Sequence, residues 1–157
     1  MKTRSSRRKF LGGAVAAGAA SQALAQPAGR VRGFDHVALP MQNTDAMLAF
    51  YRGLGFDVAE SAAACSVYIG DNMINFHRPA TWQRESFTLR APAAKPPCGD
   101  LCFVWEGTAE SLKAMLDKAG PKIIEGPVAR QGGRRKGASS VYTRDPDGNL
   151  LEFMIYN

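Results

Sequence analysis

Four side chains of this 157-residue chain have the chemistry to hold a metal ion. His36 and His77 are its only histidines, and each lies in a short run in which hydrophobic residues alternate with others. Asp100 and Glu152 lie in two later runs of the same kind. Two imidazoles and two carboxylates suit a catalytic divalent metal, because imidazole binds Fe, Ni, Zn and Cu while carboxylates also accept Mn and Mg. With fewer than six protein ligands, coordination positions would stay open for water or substrate.

The alternation within these runs assigns the four groups to one face of their strands. Successive side chains of a strand point to opposite faces, so residues of the same parity share a face. The opposite face is apolar in every run, with Val37 and Leu39, Ile74 and Phe76, Leu101, Phe103 and Trp105, and Leu151, Phe153 and Ile155. We therefore expect helices to cover the apolar faces and the four polar groups to line the other, concave face.

Each of the four groups also has a purely structural interpretation when it is taken alone. A strand histidine is more often hydrogen-bonded within the fold than bound to a metal, Asp100 could cap the preceding linker, and Glu152 could be a surface residue beside a turn. The shared position in four strands favours a site. The sequence therefore predicts one divalent metal ion (Zn, Ni, Fe or Mn) bound by His36, His77, Asp100 and Glu152.

The elements that must position these groups occur twice along the chain. From residue 33 the pattern predicts a strand, a helix and three strands, and the same order begins again after the proline-rich linker Ala91–Gly99. Asn43 or Thr44 begins the first helix, and Thr108 begins the second, which ends at Gly120. Two tandem βαβββ modules, about 33–90 and 98–157, predict one α+β domain. Its mixed sheet would be cupped and barrel-like, with the helices on the outer face.

The first 25 residues have the pattern of an export signal. Five basic residues and no acid precede an apolar stretch rich in Ala and Gly, and Ala23-Leu24-Ala25 matches an A-x-A cleavage site. The apolar stretch is shorter than the roughly 18 residues of a membrane span. The run SRRKFL resembles the twin-arginine motif. We expect residues 1–25 to be a twin-arginine signal peptide and residues 26–32 a tether. The exported protein would be periplasmic, without stable membrane insertion.

Most of the net charge lies in this predicted signal. The formal charge is +6, but the 15 basic and 14 acidic residues after position 25 leave +1. We therefore predict a small-molecule substrate and no nucleic-acid partner. Three cysteines without CxxC spacing argue against a structural zinc site.

Five further residues are candidates for the wall of the substrate pocket. The segment RQGGRRKG contains Arg130, Arg134 and Arg135, which would clamp an anionic substrate, although such a basic loop is more often simply solvated. Cys102 and Asn75 have the same parity as the predicted metal ligands on their strands, so they are expected to line the same face.

Four longer stretches resemble the vicinal oxygen chelate superfamily, which includes glyoxalase I, fosfomycin- and bleomycin-resistance proteins and extradiol dioxygenases. They are FDHVALPMQNTDAMLAFYRGLGFDV, INFHRP, GDLCFVWEG and YTRDPDGNLLEFMIYN, and the match covers nearly all of residues 33–157. INFH and DLCF are most similar to the small glyoxalase-domain proteins. The resemblance implies paired βαβββ modules, a homodimer, and metal ligands on the first and last strand of each module. These positions are again His36, His77, Asp100 and Glu152.

Three functions are open from the sequence. The first is a divalent-metal-dependent, glyoxalase-like lyase or isomerase acting on a small oxygen-chelating substrate, with Glu152 or Asp100 as the catalytic group that moves a proton. The second is an Fe(II) or Mn(II) ring-cleaving dioxygenase with His36, His77 and Glu152 as ligands. The third is a non-catalytic protein that binds a small molecule such as an antibiotic.

Overall fold

The computed structural model describes residues 29–156 and contains a compact unit that begins at Gly33. The predicted signal peptide, residues 1–25, and the first part of the predicted tether lie outside the described residues. Between residues 29 and 156, none of the helices has both the length and the apolar character needed to cross a membrane. The candidate site is built entirely from the unit that begins at Gly33.

Two modules with the same order of elements follow one another. The first contains β1 (His36–Pro40), α1 (Thr44–Gly53), β2 (Asp57–Glu60), β3 (Ala64–Ile69) and β4 (Asn72–His77), and a short helix α2 (Pro79–Trp82) follows it. The second contains β5 (Asp100–Val104), α3 (Ala109–Ala119), β6 (Glu125–Gln131), β7 (Gly137–Arg144) and β8 (Leu150–Ile155). The two predicted βαβββ modules are thus confirmed, whereas α2 is a feature that the sequence pattern does not predict.

Each module forms its own four-stranded mixed sheet. The strand orders are β1-β4-β3-β2 and β5-β8-β7-β6. In each sheet the first two neighbours are parallel and the remaining pairs are antiparallel. The predicted α+β class is confirmed, but the two sheets are not closed into one barrel. Because the pairs β1–β4 and β5–β8 are equivalent, the polar groups on them can be compared row by row.

The apolar faces of both sheets and one face of each long helix form a single core. Phe76 is 1% exposed and Leu151 is 0% exposed, as the alternation predicts. The rings of Phe56 and Phe103 connect the two modules, with centroids 5.2 Å apart, and Phe103 also packs on Phe153 of its own module at 5.5 Å. Both separations are typical of favourable aromatic pairs.

Asp147 of the second module binds the two residues that lead into the first helix of the first module. Asn43 occupies the N-cap position of α1, but its side chain makes no capping bond within the helix. Instead the carboxylate of Asp147 accepts hydrogen bonds from the backbone N–H groups of Gln42 (2.6 Å) and Asn43 (2.9 Å). It also accepts one from the Asn43 side-chain amide (2.8 Å). An anion at a helix N-terminus also complements the helix dipole. The DPDG turn therefore ties the modules together.

The second long helix begins and ends as the sequence predicts. The hydroxyl of Thr108 accepts a hydrogen bond from the backbone N–H of Ser111, and the Ser111 side chain completes a capping box. Gly120 follows the last turn with φ of 93°, a left-handed conformation that glycine adopts without steric cost.

The basic segment after Pro127 begins as a strand rather than a loop. The sequence predicts a strand at KIIEG and a loop from Arg130, whereas β6 runs from Glu125 to Gln131. The pairing of β6 with β7 shifts between Glu125 and Val128, and Pro127 lies within this irregularity. Proline has no N–H to donate, so a bulge on an edge strand tolerates it. Arg130 consequently has a defined strand position.

Candidate functional site

The chemically active side chains lie on the faces of the two sheets that point away from the core, called the polar faces here. They are His36, Asn75 and His77 in the first module and Asp100, Cys102 and Glu152 in the second. The sequence alternation predicts this face for all six.

Glu152 is held in place by a chain of hydrogen bonds. The Tyr142 hydroxyl donates to Glu152 Oε1 over 2.9 Å, and Arg130 Nε donates to the Tyr142 oxygen over 3.0 Å. Arg130 also donates to Glu125 over 3.0 Å, and its guanidinium lies over the Tyr142 ring, 5.5 Å from the centroid. Tyr142 and Glu152 are direct partners in the β7–β8 register. The half-buried carboxylate therefore has a defined orientation.

Cys102 lies beside Glu152 on the neighbouring strand. The two residues are partners in the β5–β8 register, so the thiol and the carboxylate lie side by side. Desolvation of the sulfur, followed by the negative charge of Glu152, raises the pKa of Cys102 to about 12. The thiol therefore stays protonated at neutral pH.

The register shows that Asn75, rather than His77, occupies the position equivalent to Glu152. A row here is a pair of residues that lie opposite each other on neighbouring strands. Asn75 lies opposite Ala38, two residues after His36 at the start of β1. Glu152 lies opposite Cys102, two residues after Asp100 at the start of β5. His77 lies one further polar-face position along β4. The sequence interpretation equates His77 with Glu152 because each stands near the end of the last strand of its module, and the pairing corrects this equivalence.

The neighbours of Asn75 and Glu152 are also equivalent, because a hydroxyl group lies next to each of them. Ser66 is the β3 partner of Asn75 and donates to its Oδ1 over 3.2 Å. Tyr142 is the β7 partner of Glu152 and donates to its Oε1 over 2.9 Å. Each module therefore presents a hydroxyl bound to an oxygen acceptor at the same place in its sheet.

His36 and His77 lie far apart along the sheet although they share its polar face. In the parallel pair β1–β4, His36 is opposite Met73 and His77 is opposite Pro40. Four rows separate the two histidines, which corresponds to roughly 13 Å at about 3.3 Å per residue. Since histidine nitrogens bind a metal at only about 2 Å, the pairing does not bring both imidazoles to one ion within a chain.

His36 forms an exposed pair with the residue before it. Its Nδ1 lies 2.7 Å from Asp35 Oδ1, and the two side chains are 48% and 89% exposed. With Nδ1 donating to the carboxylate, Nε2 keeps its lone pair. Carboxylates commonly orient metal-binding histidines in this way. Asp100, at the equivalent start of β5, is also exposed.

His77 is covered by the segment that connects the modules. Its ring meets Phe87 edge-on at a centroid distance of 4.9 Å, and Asn75 Nδ2 lies 3.4 Å from its Nε2. Trp82 Nε1 donates to the backbone oxygen of Met41 over 2.8 Å, which holds this segment on the first module. Burial lowers the pKa of His77, so the neutral imidazole dominates at neutral pH.

The described residues of one chain do not assemble a metal site. Between residues 29 and 156, no three or more His, Cys, Asp or Glu side chains come together where they could hold an ion. The metal roles of His36, His77, Asp100 and Glu152 stay predictions. The imidazole and the carboxylates on the polar faces are still donor types that divalent ions accept.

The three candidate arginines lie in two different places. Arg130 is on β6 and reaches Glu152 through Tyr142. Arg134 and Arg135 lie in the turn that follows, where Arg134 stacks over the Tyr156 ring at 4.8 Å from its centroid. Arg130 is therefore the one of the three that is linked to the Glu152 carboxylate. A substrate role for any of them stays a prediction.

Tyr142 and Ser66 are site residues that the sequence interpretation misses. Both lie on the third strand of their module, opposite the polar group of the fourth strand. The DPDG turn fixes the register of β7 and β8, so counting outward from this turn would place Tyr142 beside Glu152.

Comparison with known proteins identifies similar sequences and structures. The sequence profile of the Glyoxalase/Bleomycin resistance protein/Dioxygenase superfamily matches residues 33–153. A glyoxalase domain-containing protein of Mycosarcoma maydis, RDO1, is 32% identical over 127 residues, which are 80% of this chain and 69% of that protein. Virulence protein STM3117 of Salmonella typhimurium is 33% identical over 124 residues, 78% of this chain and 83% of that protein.

Solved structures share the same fold. The crystal structure of STM3117 from Salmonella typhimurium matches with a TM-score of 0.72 at 30% identity, covering 82% of this chain and 100% of that chain. A lactoylglutathione lyase from Agrobacterium tumefaciens matches with a TM-score of 0.60 at 20% identity, covering 81% and 96%. The second likeness is one of fold alone.

Proposed function

Because this chain belongs to the Glyoxalase/Bleomycin resistance protein/Dioxygenase superfamily, we propose that it is a glyoxalase-like lyase or isomerase that acts on a small substrate with two neighbouring oxygens. The observation that carries the proposal is the oriented carboxylate of Glu152 on the polar face of the second module. It accepts a hydrogen bond from Tyr142 and lies beside Cys102 on the neighbouring strand.

Glu152 has the chemistry for a proton transfer next to a carbonyl group. A carboxylate takes the proton from the hydroxyl-bearing carbon next to the carbonyl, and the electron pair forms an enediolate across the two oxygen-bearing carbons. The proton returns to the former carbonyl carbon, while the hydroxyl proton moves to the other oxygen. Tyr142 orients the carboxylate through its hydrogen bond, and a positioned base gains typically a factor of about 10² to 10⁴. Asp100 lies two residues from Cys102 on the same face and is a second carboxylate near the reacting atoms.

A metal ion would be held by residues of both modules. His36 with its free Nε2, together with Asp100 and Glu152, offers nitrogen and oxygen donors of the types that divalent ions bind. A bound ion would act as a Lewis acid on the substrate oxygens. Because the described part of one chain brings no three such groups together, we propose that a homodimer completes the site. In it, the first module of one copy would face the second module of the other.

The row pairing supports a lyase over a dioxygenase. An Fe(II) site with two histidines and one carboxylate would need His36 and His77 at one ion. Their four-row separation on the β1–β4 pair disfavours that set. We also propose that the protein acts in the periplasm, on the basis of the twin-arginine pattern. The substrate would then not be a glutathione adduct, since that thiol is mainly cytosolic.

Proton exchange with solvent tests the role of Glu152 whatever the final product of the reaction is. The full chain, supplied with Zn, Ni, Fe(II) or Mn(II), is incubated in deuterium oxide with a panel of 2-hydroxyketones and 2-oxoaldehyde–thiol adducts. NMR then detects deuterium on the oxygen-bearing carbons of the substrate. We expect exchange with at least one substrate, and we expect Glu152→Gln to slow it by about 10² to 10⁴.

Glu106→Gln is the matched control, because Glu106 is exposed and lies outside the polar-face cluster. It should exchange at the wild-type rate. Undiminished exchange in Glu152→Gln would remove Glu152 from the mechanism. Absence of exchange with every substrate and metal, combined with tight binding that a chelator leaves unchanged, would favour the non-catalytic binding protein instead.

A further inference from the structure

A small pocket lies on the polar face of the first module, beneath the segment that connects the modules. Its volume is ≈ 110 Å³. The residues that line it include Ala38, Pro40 and His77 from the strands and Trp82, Arg90 and Ala94 from the connecting segment. The pocket is thus walled by two strands on one side and roofed by the connecting segment on the other.

Arg90 gives this pocket a positive charge that the chain does not neutralise. Its Nη1 donates to the backbone oxygens of Ala91 (3.4 Å) and Pro92 (3.2 Å), which fixes the guanidinium in place. Within residues 29–156 the guanidinium forms no ion pair with a carboxylate. The residues that line the pocket also include no acid. A half-buried arginine without a carboxylate partner can bind an anion, because its planar guanidinium presents several N–H donors at once.

The roof and the floor of the pocket are both held in position. Trp82 is bonded to the backbone of Met41, and Phe87 rests edge-on against His77. Asn75 contacts His77 Nε2 at 3.4 Å. When the Asn75 amide donates to Nε2, the ring proton lies on Nδ1 and stays available for a ligand. A ligand in the pocket therefore meets polar groups that are already ordered, which lowers the entropic cost of binding.

We propose that this pocket binds the carboxylate group of a small organic acid, with Arg90 as its charged partner and His77 as a hydrogen-bonding contact. The volume limits the ligand, or the part of it that enters, to the space of about four water molecules. That space suits a carboxylate on a short carbon stem. The alanine and proline side chains of the wall suit such a short apolar stem.

This inference deepens the proposed function, on which it rests for the use of the polar faces as the substrate-binding surface. It adds a substrate class, because a substrate with two neighbouring oxygens would carry a carboxylate as its recognition group. The ligand could also be an effector with the same headgroup. Binding and turnover must therefore be measured separately.

The test compares acids with their uncharged amides. Acetate and propionate, and acetamide and propionamide as controls of nearly equal size, are titrated into the full-length protein while NMR follows the His77 ring signals. We expect saturable binding of both acids and binding of the amides that is about ten-fold weaker or undetectable. Arg90→Gln should weaken acid binding by about ten-fold or more.

Arg84→Gln is the matched control, because Arg84 is an exposed arginine of the same segment that does not line the pocket. It should bind the acids like the wild type. Equal affinity for acids and amides, unchanged binding in Arg90→Gln, or no saturable binding of either acid would each overturn the proposal. Glu152→Gln should lose proton exchange but keep acid binding, so the two proposals fail separately.

Discussion

Glu152 changes how Cys102 can react. A carboxylate beside a thiol opposes the loss of the thiol proton. Cys102 is exposed as a residue although neighbouring atoms desolvate its sulfur, so its reactivity is decided by its charge state rather than by access.

Alkylation kinetics should expose this coupling. With its pKa raised to about 12, Cys102 should react with iodoacetamide at pH 8 about 30- to 100-fold slower than an ordinary thiol. The thiolate fraction falls roughly 1000-fold, and the greater nucleophilicity of a basic thiolate offsets part of this. Glu152→Gln should lower the pKa and speed the reaction. Mass spectrometry of the labelled peptide measures both rates.

Cys98 provides the internal reference, because it is exposed and has no carboxylate among the causes of its pKa shift. Its labelling rate should be the same in wild type and Glu152→Gln. An unaltered Cys102 rate in that variant would mean that Glu152 does not set the thiol pKa.

At the scale of residues, the alternation of side chains predicts which face each polar group occupies, but not in which row. Parity needs only the chain itself, because strand side chains alternate with a period of two. The row depends on how two distant strands pair, and Asn75 and His77 have the same parity. The sequence therefore cannot choose between them, whereas the β1–β4 register does.

At the scale of elements, the first helix depends on a group from another module. Asp147 accepts hydrogen bonds from the backbone N–H groups of Gln42 and Asn43, the two residues that precede α1, and Asn43 itself makes no side-chain capping bond. The sequence predicts a cap at Asn43 or Thr44 because both types are common there. The sequence pattern does not predict that Asp147 is the hydrogen-bonding partner, because Asp147 lies 104 residues from Asn43 in the chain.

Loss of the Asp147 carboxylate should destabilise the whole fold. Asp147→Ala should lower the free energy of unfolding by about 1 to 3 kcal/mol, because it removes the hydrogen bonds that this carboxylate accepts from Gln42 and Asn43. Urea denaturation followed by circular dichroism measures the change. Asp71→Ala, at the exposed turn between β3 and β4, is the control and should have little effect. Equal stability of Asp147→Ala and wild type would show that water replaces the carboxylate without loss.

For strand β6, the sequence predicts a strand end where the structure continues the strand. Gly126-Pro127 is a strong signal for a break, and the prediction ends the strand there. Because β6 is the edge of its sheet, the missing N–H of Pro127 needs no partner on the outer side and the bulge absorbs the irregularity. Edge position is a property of the sheet, so a single strand read alone does not reveal it.

At the scale of the whole molecule, the βαβββ repeat and the helix-covered core follow from the sequence because β1, β4, β5 and β8 each have one apolar face. Closure of the sheets into a barrel does not. In the proposed homodimer, each of the two sheets would carry half of a site, and a second copy would complete both halves.

Mixing two inactive variants tests this assembly. His36→Ala removes a group of the first module, and Glu152→Gln removes one of the second. If each site combines modules of two copies, subunit exchange creates heterodimers with one intact site. Random pairing should then restore about a quarter of the wild-type exchange rate. Sedimentation should show a dimer throughout. No recovery from a fully exchanged mixture would place each site within one chain.

The two hydroxyl–acceptor pairs on the polar faces differ in charge. Ser66 with Asn75 and Tyr142 with Glu152 occupy equivalent positions in the two modules. The first module has an uncharged amide there, and the second has a carboxylate connected to a guanidinium. A molecule held between such walls meets a neutral side and a charged side. The two ends of the substrate would therefore have different surroundings. Under the proposed function, the proton would be taken from one particular carbon and delivered to its neighbour, and not the reverse.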